Sequence, residues 1–551
     1  MTSPLPPSPA LHEPHDRPPI VFLVVCTVLA LLVRLPLLGR SLWFDEVCMS
    51  SQRIGTFEQL LATLYVDIHP PLFVAFMHGF GRVFGDGELT LRLPALLAGL
   101  ASIPVLWWTG HRLVGDRAAR WAVLLLALSP VHVWYSTEAR LYAPMVMLTL
   151  LAFGTTERLC DRTHAAGRWL WPLHLAVVVA MLGLHYYLAA IVVALAAAAP
   201  LLTRGFTQAS LRILLWHGVL LLLLAGFVFG KQSLGQFETS QDYLRTLTAE
   251  ELVRFLLRWC WAGNCLAPIG GAAYTTAALV FESLGGLLLV AGLVAVWRST
   301  ERVRAAMVVL GVLLLPVFLL LLGWLGYGRT YMERSVIPAL PFVLLLAGAG
   351  LARLKHLLQR GIGGLAVLLA AASLASLYTH HETEWLVYKP NVDWRSASAW
   401  LGHEIDHGGA GRAVFTPTPN PRPLSYYDPR IQDVKNLSLP RTPEQLGSSV
   451  RKHLGGAIGD FAEQAFRRFA AHNDELLAKA ALRVYRSAAD PTELQMAQRS
   501  VDDVCYLVRD HWHPHRTVDD TVERLLTNPR VEVLATGTFP GITVHKVRIR
   551  P

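Results

Sequence analysis

The chain has 551 residues, of which 53% are hydrophobic and only 16% charged, with a mean hydropathy of +0.40. Soluble proteins carry about 25% charged residues, so this chain cannot coat a single water-soluble globule of its length. The apolar content also excludes disorder, and 6 cysteines exclude a disulfide framework. A formal charge of +9 with a pI near 9.3 reads as the Lys/Arg bias of cytoplasmic membrane loops, not as a nucleic-acid footprint.

In chain order, residues 1–19 are a Pro-rich tail, read as a disordered cytoplasmic N-terminus. No small-residue cleavage site follows it, so the first apolar run is taken as a retained helix. Stretches of about 20 apolar residues cross a bilayer. They fall near 20–38, 93–110, 120–136, 140–156, 169–183, 185–202, 211–230, 277–296, 305–326, 335–352 and 361–378, giving eleven expected spans. Alternate loops (111–120, 157–168, 204–212, 298–304 and 353–360) hold fourteen Lys and Arg, and are placed in the cytoplasm. The other loops are then extracytoplasmic. The run HPPLFVAFMHGFGRVF at 69–84 is short and carries His69, His78 and Arg82, so it is read as a helix lying at the outer interface. After 379 the pattern becomes that of a soluble α/β domain of about 170 residues. Strands are expected at 413–417, 504–510, 531–537 and 543–549, and helices at 394–404, 442–456, 460–487 and 517–527.

Ionisable groups at a bilayer are costly unless paired or wet, which makes them functional candidates. In this topology Arg34, Asp45, Glu46, His69, Glu138, Arg140, His185, Arg329, Glu333 and Arg334 all fall on the external side. A transporter places its polar site near the midplane, whereas an enzyme meeting a lipid substrate at one leaflet needs polar groups at one boundary. Asp45 and Glu46 are adjacent. On a helix they diverge by about 100°, so only one faces a given pocket, and either is a candidate general base. Pro70 and Pro71 suit a helix start and hold His69 at its entry. In SPVHVWYSTEARLYAPM, a helical reading puts Glu138 and Tyr142 on one face and Arg140 on another. His185 and Tyr187 open the sixth span. Arg329 and Arg334 flank TYME, where positive-inside logic does not call for cations, and the guanidinium fork suits phosphate.

Together WFDE, HPPL, SP…YSTEARLYA and ERSVIPALPFVLLLAGAGL resemble the GT-C membrane glycosyltransferases, in particular the protein O-mannosyltransferase and lipid A aminoarabinose transferase group (glycosyltransferase families 39 and 83). The resemblance covers roughly residues 20–380. It implies a polytopic, all-α membrane domain at 20–378 with juxtamembrane helices in the first external loop, followed by the extracytoplasmic domain at 379–551. It implies an inverting sugar transfer from a polyprenyl-phosphate donor to a lipid, glycan or protein acceptor at the outer face of the cell (inner) membrane, with no nucleic acid involved. Residue by residue, Asp45 matches the first-loop catalytic aspartate. His69 matches the position beside the donor phosphate, and Glu138, Arg140 and Tyr142 match the second external hairpin. Arg334 matches a basic residue before the late Pro-rich span. Some relatives hold a divalent metal with acid and His ligands; Asp67 and His185 are the weak candidates here, and metal dependence stays open.

The residue types fit that chemistry independently. The donor brings its own leaving group, so the protein must hold a phosphate, neutralise charge as the C1–O bond breaks and deprotonate the acceptor. Phe73, Phe76 and Phe80 of the interfacial helix are candidates to line an isoprenoid groove. Two alternatives stand beside this reading: a lipid-linked sugar transporter or flippase, and an oligosaccharide ligase using a pyrophosphate-linked donor. Cys260 and Cys265 in CWAGNC either pair or remain thiols, and WHPH at 512–515 is read as a solvated loop more readily than as a metal site.

Overall fold

The computed structural model describes residues 18–54, 56–58, 60, 64, 69–85, 87–162, 167–233, 246–262, 271–299, 301–325, 330–379, 392–407, 414–416, 422–431, 434–436, 504–510, 526 and 531–549. The chain divides into two compact units, Met1–Pro390 and Asn391–Pro551. Asp67, Arg329, Cys265, the WHPH run, the helices expected at 442–456 and 460–487, and nearly all of that at 517–527 lie outside the described residues.

The first unit is helical. It begins with α1 (Ile20–Leu32), α2 (Leu35–Leu38), α3 (Phe44–Ile54) and α4 (Leu72–Phe84). There follow α5 (Glu88–Val114), α6 (Asp116–Leu128), α7 (Pro130–Tyr135), α8 (Tyr142–Cys160), α9 (Leu170–Leu184), α10 (Leu188–Leu202) and α11 (Gln208–Ser233). Then come α12 (Ala249–Arg254), α13 (Gly271–Trp297) and α14 (Arg302–Trp324). A 3-10 turn at Glu333–Ala339 runs into α15 (Leu340–Arg353), and α16 (His356–Thr379) closes the unit. A helix stands at each of the eleven expected spans. Seven are long and apolar enough to cross a membrane by themselves. The other four differ for visible reasons. The run at 120–136 breaks at Ser129, because Pro130 has no N–H to continue α6; Ser129 instead caps α7, accepting from the His132 N–H at 3.3 Å. Helix α8 carries the charged residues Glu157 and Arg158 close to its C-terminal end at Cys160. Helices α9 and α10 have 15 residues each, about 22 Å at 1.5 Å per residue, short of a bilayer core of about 30 Å.

The centre of the bundle is α15, whose span is 94% buried. It is apolar all round because neighbours cover every side: α5, α6, α8, α13, α14 and α16 all pack on it. Backbones meet closely at small residues, as in other membrane helix pairs. A Cβ added at Gly348 would sit 2.2 Å from the Ala118 carbonyl oxygen, and one at Gly292 would sit 2.1 Å from that of Leu346. Arg34, fully buried at the end of α1, spans the α6–α7 break. It donates to the Ala30 oxygen at 2.6 Å, to Ala127 O at 3.3 Å, to Ser136 Oγ at 2.7 Å and to His132 Nδ1 at 2.8 Å. Arginine only donates, so His132 Nδ1 accepts and its proton sits on Nε2.

The second unit has five strands in the order β2-β1-β3-β5-β4: β1 (Val414–Thr416), β2 (Val434–Asn436), β3 (Val504–Asp510), β4 (Val531–Phe539) and β5 (Ile542–Ile549). Strand β1 runs parallel to β2 and β3, and β5 is antiparallel to β3 and β4. The β4–β5 hairpin turns at Pro540–Gly541, where a φ of +71° requires glycine. Helix α17 (Trp394–His407) buries Trp394, Ala397 and Leu401, one stripe at helical spacing, against Tyr506, Val508, Ile542 and Val544 of the sheet and Leu424 of α18 (Arg422–Tyr427).

Candidate functional site

The segment from α2 through α3 is fixed by a buried ion pair. Arg92, near the start of α5, and Glu46, in the first turn of α3, are both 0% exposed. Arg92 donates from Nε to Glu46 Oε1 and from Nη2 to Glu46 Oε2, each at 2.8 Å. Its remaining N–H groups reach the carbonyls of Leu38 (2.8 Å), Arg40 (2.7 Å) and Ser41 (3.1 Å). Glu46 Oε1 also accepts from the Ala139 N–H at 2.9 Å, so the pair joins the loop, α5 and the turn before α8. Burial works against ionisation of Glu46, but the Arg92 guanidinium outweighs it and holds the carboxyl below its usual range. Both Glu46 oxygens are committed to Arg92 and the side chain has no exposure, so Glu46 braces its neighbours.

Asp45, one residue earlier, points the other way, as the helical offset requires. Its Oδ2 accepts from Arg334 Nη1 at 3.2 Å, with both side chains about one-sixth exposed, 16% and 15%. Arg334 sits in the 3-10 turn at Glu333–Ala339, with its guanidinium 5.5 Å from the centre of the Tyr142 ring. Tyr142 meets Tyr135 edge-on at 4.9 Å. Residues 136–141 form a turn, not the helix assumed for the hairpin, so Arg140 is not carried away from Tyr142. Arg140 interacts electrostatically with Asp45, Tyr142, Arg334 and Glu138.

Glu138 lies in the same turn, 1% exposed, and neither of its oxygens has a hydrogen-bond partner among the described residues. Burial first, and then the Glu46 charge, push its carboxyl up to about 7, against the pull of Arg334 and Arg40. His185, in the link between α9 and α10, meets His69 edge-on at 5.9 Å and Tyr187 at 4.7 Å. Burial, then the cations around it, push His185 down to about 3, which keeps the imidazole neutral. The Tyr187 hydroxyl donates to the Thr330 carbonyl at 2.7 Å. Asp45, His69, Glu138, Arg140, Tyr142, His185, Tyr187 and Arg334 thus meet in one place. No group of three His, Cys, Asp or Glu placed to hold a metal occurs among the described residues.

Helix α4 starts after Pro71, as the Pro pair predicts. Its Phe73 is buried, while Phe76, Phe80 and Phe84 stack in sequence, with ring centres 5.8 and 4.5 Å apart. Arg92 and Arg40 were missed as site-building residues. Arg92 directly precedes the expected span 93–110, and an arginine at that depth needs a carboxylate partner, which was the available signal.

A family model described as dolichyl-phosphate-mannose-protein mannosyltransferase matches residues 68–229. The crystal structure of ArnT from Cupriavidus metallidurans in the apo state is similar in fold over 96% of this chain and 98% of that chain, with a TM-score of 0.53 and 14% identity. The same protein bound to undecaprenyl phosphate is similar over the same shares, with a TM-score of 0.52 and 14% identity. No curated protein matches the chain in sequence. The chain thus shares a helical membrane fold with ArnT over nearly the whole length of both, and its residues 68–229 match a mannosyltransferase family model.

Proposed function

We propose that the chain transfers a sugar, with inversion, from a polyprenyl-phosphate donor to an acceptor hydroxyl or amine at the extracytoplasmic face of the cell membrane. The observation that carries the reading is the Asp45–Arg334 pair at 3.2 Å, set among Arg140, Glu138, Tyr142 and His185. A similar fold was captured with undecaprenyl phosphate bound, which supports a lipid-phosphate donor.

Arg334 and Arg140 hold the donor phosphate. Guanidinium groups match phosphate oxygens in pairs, and Asp45 is released from Arg334 as the phosphate takes its place. The acceptor attacks C1 opposite the phosphate and Asp45 takes its proton. As that bond forms the C1–O bond breaks, and its electron pair leaves with the polyprenyl phosphate, whose growing charge the two arginines stabilise. His69 and His185 line the phosphate side, with Tyr187 bracing His185. Arg329, outside the described residues, is a further candidate there. The stacked Phe76, Phe80 and Phe84 offer an apolar bed for the isoprenoid.

The test is mass spectrometry of lipid extracted with the purified protein, followed by transfer assays with the lipid found. Recovery of a polyprenyl-phosphate hexose or pentose supports the reading. A pyrophosphate-linked glycan, or no polyprenyl lipid together with no binding of polyprenyl phosphate, overturns it.

A further inference from the structure

Four polar atoms beside the proposed base and phosphate clamp are buried without a hydrogen-bond partner among the described residues: Nε and Nη1 of Arg40, and Oε1 and Oε2 of Glu138. The two side chains are 7% and 1% exposed. Arg40 is held rigidly. Its guanidinium lies 3.8 Å over the Trp134 ring, and Nη2 donates to the Thr137 carbonyl at 3.1 Å. Glu138 is fixed by the turn whose Ala139 N–H is tied to Glu46. The Arg40 and Glu138 charges feel one another, and Glu138 also feels Asp45 and Arg334.

Buried polar groups are almost always partnered, so donors and acceptors left open within each other's electrostatic reach mark a place for a ligand. A hydroxyl, like a water molecule, donates to a carboxylate and accepts from a guanidinium through the same atom. A carboxylate or phosphate would satisfy Arg40 and repel Glu138. An ammonium would satisfy Glu138 but face both Arg40 and Arg140. A pair of vicinal hydroxyls brings the two donors and two acceptors that these four atoms call for.

We propose that Arg40 and Glu138 form the subsite that reads the hydroxyls of the transferred sugar, and that this sugar is a neutral polyol ring and not an amino sugar. The inference rests on the lipid-linked donor reading, since the ring lies here only if its phosphate is held by Arg334 and Arg140. Trp134 and Thr137 act as positioning residues by fixing the guanidinium plane.

The test measures binding of bare undecaprenyl phosphate, of undecaprenyl-phosphate mannose, glucose and galactose, and of an undecaprenyl-phosphate aminopentose. The full-length protein is used in nanodiscs, as wild type, Arg40→Gln and Glu138→Gln. The readout is the ratio of sugar-lipid to bare-lipid affinity within each protein, so a general loss of folding cancels. Wild type should bind at least one neutral sugar-lipid roughly 10- to 100-fold more tightly than bare lipid, as expected for hydrogen bonds to charged groups. Each variant should bring that ratio down to within about 3-fold of unity, against the same scale. An unchanged ratio in both variants, no sugar-dependent gain in wild type, or preference for the aminopentose overturns the subsite. Failure of wild type to bind any of these lipids, bare lipid included, overturns the donor reading itself and with it the subsite.

Discussion

Replacing Glu46 by Ala should be among the most damaging single changes in the membrane unit, although Glu46 takes no part in the proposed transfer. Its partner Arg92 and Glu46 itself are both 0% exposed, so the small energies of surface ion pairs do not apply. Removing one member of a buried pair strands the other charge and costs about 3–5 kcal/mol. The Ala139 N–H loses its acceptor in the same step, a further penalty of about 1–3 kcal/mol if water does not enter. The Arg92→Met change strands Glu46 and takes the Arg92 donors away from the carbonyls of Leu38, Arg40 and Ser41. The double replacement Glu46→Ala with Arg92→Met removes both charges, so its cost should fall well below the sum of the single changes, giving a coupling of about 3 kcal/mol. The assay is reversible unfolding in mixed detergent micelles, followed by tryptophan fluorescence, for the four proteins of the cycle. Sugar transfer is measured in parallel. The double variant should regain stability without regaining transfer, because the loop carrying Asp45 is still unclamped. Additive single effects, or a Glu46→Ala loss below about 1 kcal/mol, the range of exposed pairs, would refute the pair as a buried clamp.

Asp45→Asn should abolish transfer while expression and membrane insertion persist; full activity in that variant removes Asp45 from the mechanism. Glu138 gives a pH signature. Its carboxyl stands at about 7 against an ordinary 4.5, so the folded state keeps a proton that the unfolded chain releases. Its stabilising share is full below about pH 4.5 and is lost as pH rises through about 7. Glu138→Gln should therefore flatten the stability profile across that window and exceed wild type above it by at most about 3 kcal/mol; an unaltered profile contradicts the burial of this carboxyl. Gly99→Ala places a Cβ 2.2 Å from the Ser136 Cβ, forcing α5 away from the turn that carries Glu138. A loss of about 1–3 kcal/mol is expected, read in the same unfolding assay, with transfer reduced further than stability alone accounts for.

How much of this was legible follows from the range over which each signal acts. Hydropathy is local, so the positions of the membrane helices and of strands β3, β4 and β5 could be read from runs of residue types. So could the start of α4 after Pro71, because proline acts on its own backbone. Lengths were less legible. The break at Ser129–Pro130 hides inside a continuous apolar run, and only the loss of one backbone donor reveals it. One-sidedness of charge was also readable, since loop parity places Asp45, Glu138 and Arg334 on a common side before any contact is known. Which acid is committed to structure was not readable. Asp45 and Glu46 are chemically alike and adjacent, and their roles are separated by Arg92, which lies 46 residues further along the chain. Arg40 shows the same limit from the other direction. Nothing in its own sequence neighbourhood distinguishes it from a loop cation, and its two open donors acquire meaning only beside Glu138, which arrives from a different helix pair. Long-range pairing, not residue type, therefore decides which charges in this site hold the fold and which are left for a substrate.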